Sequence, residues 1–293
     1  MAADNHHVDT QYPSASLPRN NSITRHGFKI SAQKLPILKA GPIDEMTTKL
    51  GIAPPEMIFG DNHITIEHQP SGWKLDFNAL DALDRVDKTG ETMLKVAYSK
   101  EWQQSRENTH QGIKEVVKPF DWSYSTDYKG SLSPDAKPFE PSSSPIPIEL
   151  LKRPDPILFF DEVMLYEDEL ADNGIAMLSC KIRVMPSRLL LLSRFFMRLD
   201  NVLFRLRDTR VYVDFETGEV IREYQSKEEE YDKVRQVRTS IGMKILETLG
   251  LLTDMQRLST FREDIPAIMR DPNRLSELLP LVDTSLEHVF VCS

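Results

Sequence analysis

The sequence has little of what marks a secreted, membrane-spanning or metal-holding chain. Only two cysteines occur in 293 residues, Cys180 and Cys292. Two thiols build neither a disulfide framework nor a zinc quartet, which points to a reducing compartment. No apolar run approaches the ~18 residues a membrane helix needs. The longest aliphatic block is the four leucines 189–192, and Arg194 and Arg198 follow it. The first twenty residues are polar, so no secretory apolar core is expected there. The glycines never form G-x-G-x-x-G or a phosphate loop, and neither H-E-x-x-H nor G-x-S-x-G occurs. His63 and His68 stand five apart, on opposite faces of any regular strand. His6 and His7 lack a third ligand. The residues therefore nominate no catalytic group, no metal site and no cofactor.

What is present is an ordinary globular composition with an acidic balance. Lys plus Arg is 36 against 45 Asp plus Glu, a net charge of −9. That disfavours nucleic acid and anionic membrane, which both need a cationic footprint. Residues 1–21 are polar with Pro13 and Pro18, too poor in apolar groups to repay ordering, and predict a mobile tail. Residues 131–156 carry seven of the 19 prolines, which predicts a loop rather than an element. Ser142-Ser143-Ser144-Pro145 within it fits a proline-directed phosphorylation motif or a plain flexible loop.

Elsewhere period two dominates. Ile64 and Ile66 share a face; Trp73, Leu75 and Phe77 alternate with Lys74 and Asp76 across the turn residues Gln69-Pro70-Ser71-Gly72. That reads as a hairpin. Residues 93–98 and 113–117 are two short strand candidates. Leu178, Cys180, Ile182 and Val184 alternate with polar neighbours up to Pro186. Residues 189–199 fit a strand or a helix, and the strand is favoured because Asp200-Asn201 offers a hairpin turn. Residues 211–215 and 220–224 flank a second turn at Gly218. Helical periods appear at residues 44–50 before Gly51, at 79–86 after an Asn78 cap, and after Asp271-Pro272. The longest starts after Ser226, with Glu228, Glu229 and Glu230 in its first turn. The expected fold is α+β: antiparallel hairpins with flanking helices, one domain over residues 22–293.

Three stretches carry candidate chemistry. Asp81, Asp84 and Asp87 share a helical face. They form a solvated face, a paired-carboxylate site or a receiver of a partner's donors. Residues 118–130 hold four aromatics, including Trp122 and Tyr124, that serve a core or a recognition surface. Between Lys181 and Arg222 nine basic residues face five acids, a local +4 suited to carboxylate or phosphate, or to a solvated hairpin face. Asp208 is anomalous there. It falls on the apolar parity of Phe204 and Leu206, so it either pairs with Arg210 or Arg222 or marks the rim of a groove.

These stretches together resemble the TIPRL family of TOR-signalling regulators. The resemblance rests on Pro55-Glu56-Met57-Ile58-Phe59-Gly60-Asp61-Asn62, Phe77-Asn78-Ala79-Leu80-Asp81-Ala82-Leu83, Met93-Leu94-Lys95-Val96-Ala97 and Glu101-Trp102-Gln103-Gln104-Ser105-Arg106. It continues through residues 118–130, Tyr166-Glu167-Asp168-Glu169-Leu170, Lys181-Ile182-Arg183-Val184-Met185-Pro186 and Arg194-Phe195-Phe196-Met197-Arg198-Leu199-Asp200. Asp208-Thr209-Arg210 and Arg222-Glu223-Tyr224 complete it. Order and spacing hold over roughly residues 27–226. The tail, the proline loop and a helical insertion over residues 227–270 depart from the family pattern. The resemblance implies a non-enzymatic monomer, cytoplasmic with the nucleus as a second compartment. Its implied partners are type 2A phosphatase catalytic subunits and the alpha-four-type regulator. Asp81, Trp122, Tyr124, Leu206, Asp208 and Arg210 are the implied partner-binding residues. Two alternatives stand beside it: an enzyme using Asp81 and Asp84, and an acidic-ligand binder using the arginine band.

Overall fold

A computed structural model of the chain describes residues 19–89, 120–235 and 269–291. Two successive residues with positive φ, His26 at 49° and Gly27 at 82°, turn β1 (Arg19–Arg25) into β2 (Phe28–Lys34). That turn geometry matches the natural twist of paired strands. Then α1 (Ala40–Leu50) stops where Gly51 enters the left-handed region and returns its N–H to the Thr47 carbonyl. After β3 (Met57–Ile58), β4 (His63–His68) and β5 (Trp73–Asn78) form the expected hairpin. The Asn78 side chain caps α2 (Ala79–Asp84) by accepting from the Asp81 backbone N–H.

The second half is a meander. Strands β8 (Phe159–Asp168), β9 (Gly174–Val184), β10 (Arg188–Leu199), β11 (Leu203–Asp214) and β12 (Glu219–Glu230) pair in sequence order. A capped helix at Pro272–Leu278 leads into a last long strand at Leu281–Phe290.

Between the halves, residues 131–151 contain β6 (Ser131–Leu132), β7 (Glu140–Pro141) and α3 (Ile148–Leu151). The helix Pro272–Leu278 is therefore α4, and the last strand is β13. All pairings are antiparallel. They make a five-stranded sheet ordered β1-β2-β4-β5-β6 and an eight-stranded sheet ordered β3-β8-β9-β10-β11-β12-β13-β7. The main core lies between the sheets. Phe28, Ile30, Ile64, Ile66, Leu75 and Phe77 meet Leu165, Leu178, Ile182, Leu191, Phe195 and Val211 there. The fold is α+β, a single domain dominated by strands.

The outer face of the larger sheet is covered too. Phe196, Phe204 and Leu206 lie under Leu275 of α4 and Leu279 just beyond it; Tyr212 and Ile221 lie under Ile146. A strand buried on both faces loses its clean alternation. This is why residues 189–199 read equally well as strand or helix.

Three expectations need correction. The tail does not extend to residue 21, because Arg19, Asn20 and Asn21 already pair with Lys34, Gln33 and Ala32. Residues 131–156 are not an element-free loop. They lend short edge strands to both sheets, and the edge of a sheet tolerates Pro141 because no further strand needs its missing N–H. Glu228, Glu229 and Glu230 do not open a helix. They finish β12 opposite Arg205, Phe204 and Leu203, and helix begins only at residues 231–235. Cross-strand pairing, including Arg205 Nε to Glu228 at 2.5 Å, outweighs local helical preference. The expected tail to residue 18, the strand candidates 93–98 and 113–117, and the helical stripe beyond Arg235 lie outside the described residues.

Candidate functional site

Strand β11 decides which candidates meet. Its parity places Phe204, Leu206, Asp208, Arg210 and Tyr212 on the face turned away from the five-stranded sheet. Register then brings Arg194 of β10 opposite Asp208, and Glu223 of β12 opposite Arg210.

Asp208 is 1% exposed. Arg194 grips it in a fork, Nε to Oδ1 and Nη2 to Oδ2, each at 2.7 Å. Arg210 adds Nη2 to Oδ2 at 3.1 Å and reaches Glu223 with Nη1 at 3.1 Å. Gln225 donates to the same Glu223 oxygen at 2.6 Å, and Arg194 Nη1 donates to Asn273 of α4 at 2.8 Å. A buried carboxylate is tolerable only when it accepts such bonds. The expected arginine pairing of Asp208 is therefore present. Arg210 supplies part of it, whereas Arg222 instead pairs with Glu287. Arg194 and Asn273 were not anticipated, because only the strand register and the docked helix bring them in.

This polar belt separates two apolar patches. On one side, Phe204 stacks on Tyr231 at 5.1 Å and 9°, with Leu206 fully buried below α4. A cleft of about 350 Å³ opens beside it, lined by Ile175, Met177, Phe196, Arg198, Arg270 and Pro272. On the other side, the Tyr212 hydroxyl is buried without a hydrogen bond. Burial first, then the Asp214 charge, pushes its pKa up to about 12. Tyr212→Phe removes this unsatisfied group while keeping the ring. Urea unfolding is expected to show unchanged stability or a gain of up to ~1 kcal/mol. A loss of that size would mean the hydroxyl has a partner.

The other candidates lie apart from this face. Asp81 is half-buried at the corner of β5 and α2, and its Oδ2 accepts from Asn78 Nδ2 at 2.9 Å and Ser131 Oγ at 2.5 Å. Its carboxylate ties a helix start to β6. Asp81→Leu is therefore expected to cost about 1–2 kcal/mol in chemical denaturation. A purely exposed contact residue would give about 0.5 kcal/mol or less. Asp84, exposed, pairs with Lys88 at 3.0 Å.

Tyr124 is not a surface ring. It is 5% exposed at a φ of 53°, its hydroxyl donates toward Pro54 O at 3.0 Å, and its carbonyl accepts from the Tyr166 hydroxyl at 2.8 Å. Burial, then the charges of Asp168 and Glu56, hold its phenol well above the ordinary value. Phe120 and Tyr128 are buried as well, and Trp122 packs half-buried against the main core. The aromatic run thus mainly fills the space between the sheets.

The arginine band is largely occupied. Lys181, Arg188, Arg194, Arg198, Arg205, Arg210 and Arg222 pair with Glu162, Asp155, Asp208, Asp200, Glu228, Glu223 and Glu287 respectively. Most of these acids lie outside residues 181–222, so a charge count along the segment overstated the free cationic surface. Among the described residues no group of three metal-ligating side chains converges.

Fold and face together define an α+β protein of two antiparallel sheets, the larger carrying a buried, arginine-clamped acid on the face turned away from the smaller. Comparison with known proteins narrows this. A model of the TIP41-like family matches residues 57–235, which run from β3 past the end of β12. The human TIP41-like protein is 39% identical over 264 residues, covering 89% of this chain and 86% of that protein. The type 2A phosphatase activator TIP41 of Saccharomyces cerevisiae is 43% identical over 240 residues, covering 76% and 67%. The type 2A phosphatase activator tip41 of Schizosaccharomyces pombe is 35% identical over 259 residues, covering 87% and 92%. The chain belongs to the TIP41-like family.

Proposed function

We propose that this chain is a non-enzymatic regulator that binds type 2A phosphatase catalytic subunits through the outer face of its eight-stranded sheet, within TOR signalling. The observation that carries the reading is its 43% identity to a yeast type 2A phosphatase activator over a span that includes the clamped Asp208. Clamping gives the face a fixed shape, and the adjoining cleft offers apolar area with two arginines in its lining. Such a preformed mix of apolar floor and oriented polar groups suits protein recognition. In this reading Leu206 supports the floor, Asp208 and Arg210 hold the wall, and Asp81 and Trp122 form a second contact region. The bonds that tie Asp81 to Asn78 and Ser131, and Asp84 to Lys88, weigh against the enzyme alternative. The occupied arginine band argues against a general acidic-ligand binder. The proposed compartment is the cytoplasm, with the nucleus as a second, and the proposed free state is a monomer. The alpha-four-type phosphatase regulator is a second proposed partner.

The test is capture of purified catalytic subunit by the full chain, with and without the subunit's C-terminal tail. Saturable binding of at least the tailed subunit is expected. Failure of both forms to bind contradicts the reading.

A further inference from the structure

The chain contains two serine-proline dipeptides, Ser133-Pro134 and Ser144-Pro145, and no threonine-proline. A proline keeps the residue before it extended rather than helical, in either context. The fold treats the two serines differently. Ser133 is closed: its N–H donates to the Lys74 carbonyl at 3.0 Å, its carbonyl accepts from Ala136 at 3.0 Å, and its hydroxyl is buried.

Ser144 is open. Residues 142–147 have no regular structure, and Ser143, Ser144 and Pro145 are exposed. The segment is nevertheless held on both sides. The Ser142 N–H donates to the Leu286 carbonyl at 2.9 Å, and Ile146 is buried against Tyr212 and Ile221. Phe139 lies before this crossing, over the Arg222 guanidinium at 3.9 Å. The chain thus passes over the β13 edge as a strap, and Ser144 sits where it reaches the outer face. An exposed serine hydroxyl directly ahead of a proline is what a proline-directed kinase cleft requires.

We infer that Ser144 is a phosphorylation site for a proline-directed serine/threonine kinase, and that Ser133 is not one in the folded chain. In the transfer, a bond forms between Ser144 Oγ and the γ-phosphorus of ATP. The bond from that phosphorus to the ADP oxygen breaks, and the hydroxyl proton passes to the kinase's base. The product places a charge of about −1.5 to −2 on the strap, between Glu140 and Glu149 and two residues from the Ile146 anchor.

The test treats the purified full chain with a cyclin-dependent or mitogen-activated protein kinase and ATP, read by intact mass and fragment mapping. One phosphate is expected, on Ser144. Ser144→Ala should abolish it and Ser133→Ala should leave its rate unchanged, with native circular dichroism for both. Phosphate on Ser133 or elsewhere in the folded chain overturns the inference. So does an unmodified full chain, whether or not a peptide of residues 139–151 is accepted by the same kinase.

Discussion

Asp208→Asn is expected to lower the thermal midpoint by roughly 6–12 °C and to weaken phosphatase binding strongly, with the fold retained. The carboxylate accepts three guanidinium bonds at 2.7, 2.7 and 3.1 Å. An amide of the same shape offers one acceptor oxygen and turns a donor toward a donor. Neutralising one partner of a buried ion pair strands the other, at a cost of about 3 kcal/mol here. The figure sits low in the usual range because Arg194 and Arg210 are 12% and 28% exposed and water relieves them in part. In a domain of this size each kcal/mol moves the midpoint by about 2–4 °C. Scanning calorimetry reads the first effect and isothermal titration with catalytic subunit the second. An unchanged midpoint with unchanged affinity would show that the clamp shapes nothing.

Deleting residues 133–144 should destabilise the protein by about 3–4 kcal/mol, although the segment is rich in proline. Loop length alone predicts almost no penalty, since shortening a flexible connection changes closure entropy little. The contacts decide otherwise. The deletion removes β7 from the β13 edge and the Lys137 carbonyl from Trp73 Nε1 at 3.2 Å. It also takes away the Phe139 ring, which meets Trp73 edge-on at 6.0 Å and lies against Arg222. A cation–π contact, a partly buried ring and a hydrogen bond to a buried indole together reach that magnitude. Urea unfolding of the deletion variant beside the full chain measures it. Stability within about 1 kcal/mol of the parent would return the segment to the status of a tether.

Local signals carried far in this chain. The Asn78 and Asp271 caps, the Gly51 stop and the turns at Asn201 and Gly218 were readable because each rests on a few adjacent residues. Within the first sheet the β4–β5 hairpin was readable because polar Lys74 and Asp76 alternate with buried Trp73, Leu75 and Phe77. Asp208 stood out for one physical reason, an acid on an apolar parity, and that parity led correctly to arginine pairing. What stayed hidden depends on distant partners. Arg194 becomes the main clamp only through the β10–β11 register, and Asn273 only through the docking of α4. Glu228 reads as a helix-start acid until Arg205 is placed across from it. Asp81 reads as a surface acid until Ser131, fifty positions away, donates to it. Tyr124 looks like recognition surface until the second sheet closes over its ring.

The central claim is that the outer face of the larger sheet receives the phosphatase catalytic subunit. Hydroxyl-radical footprinting of the full chain, alone and saturated with purified catalytic subunit, tests it most directly, because Met177 lines the cleft and thioethers oxidise readily. Protection of Met177 and Pro272 is expected, while exposed His26 at the β1–β2 turn keeps its rate. Unchanged oxidation of Met177 and Pro272 in the saturated complex, with protection at the β1–β2 turn instead, would contradict it.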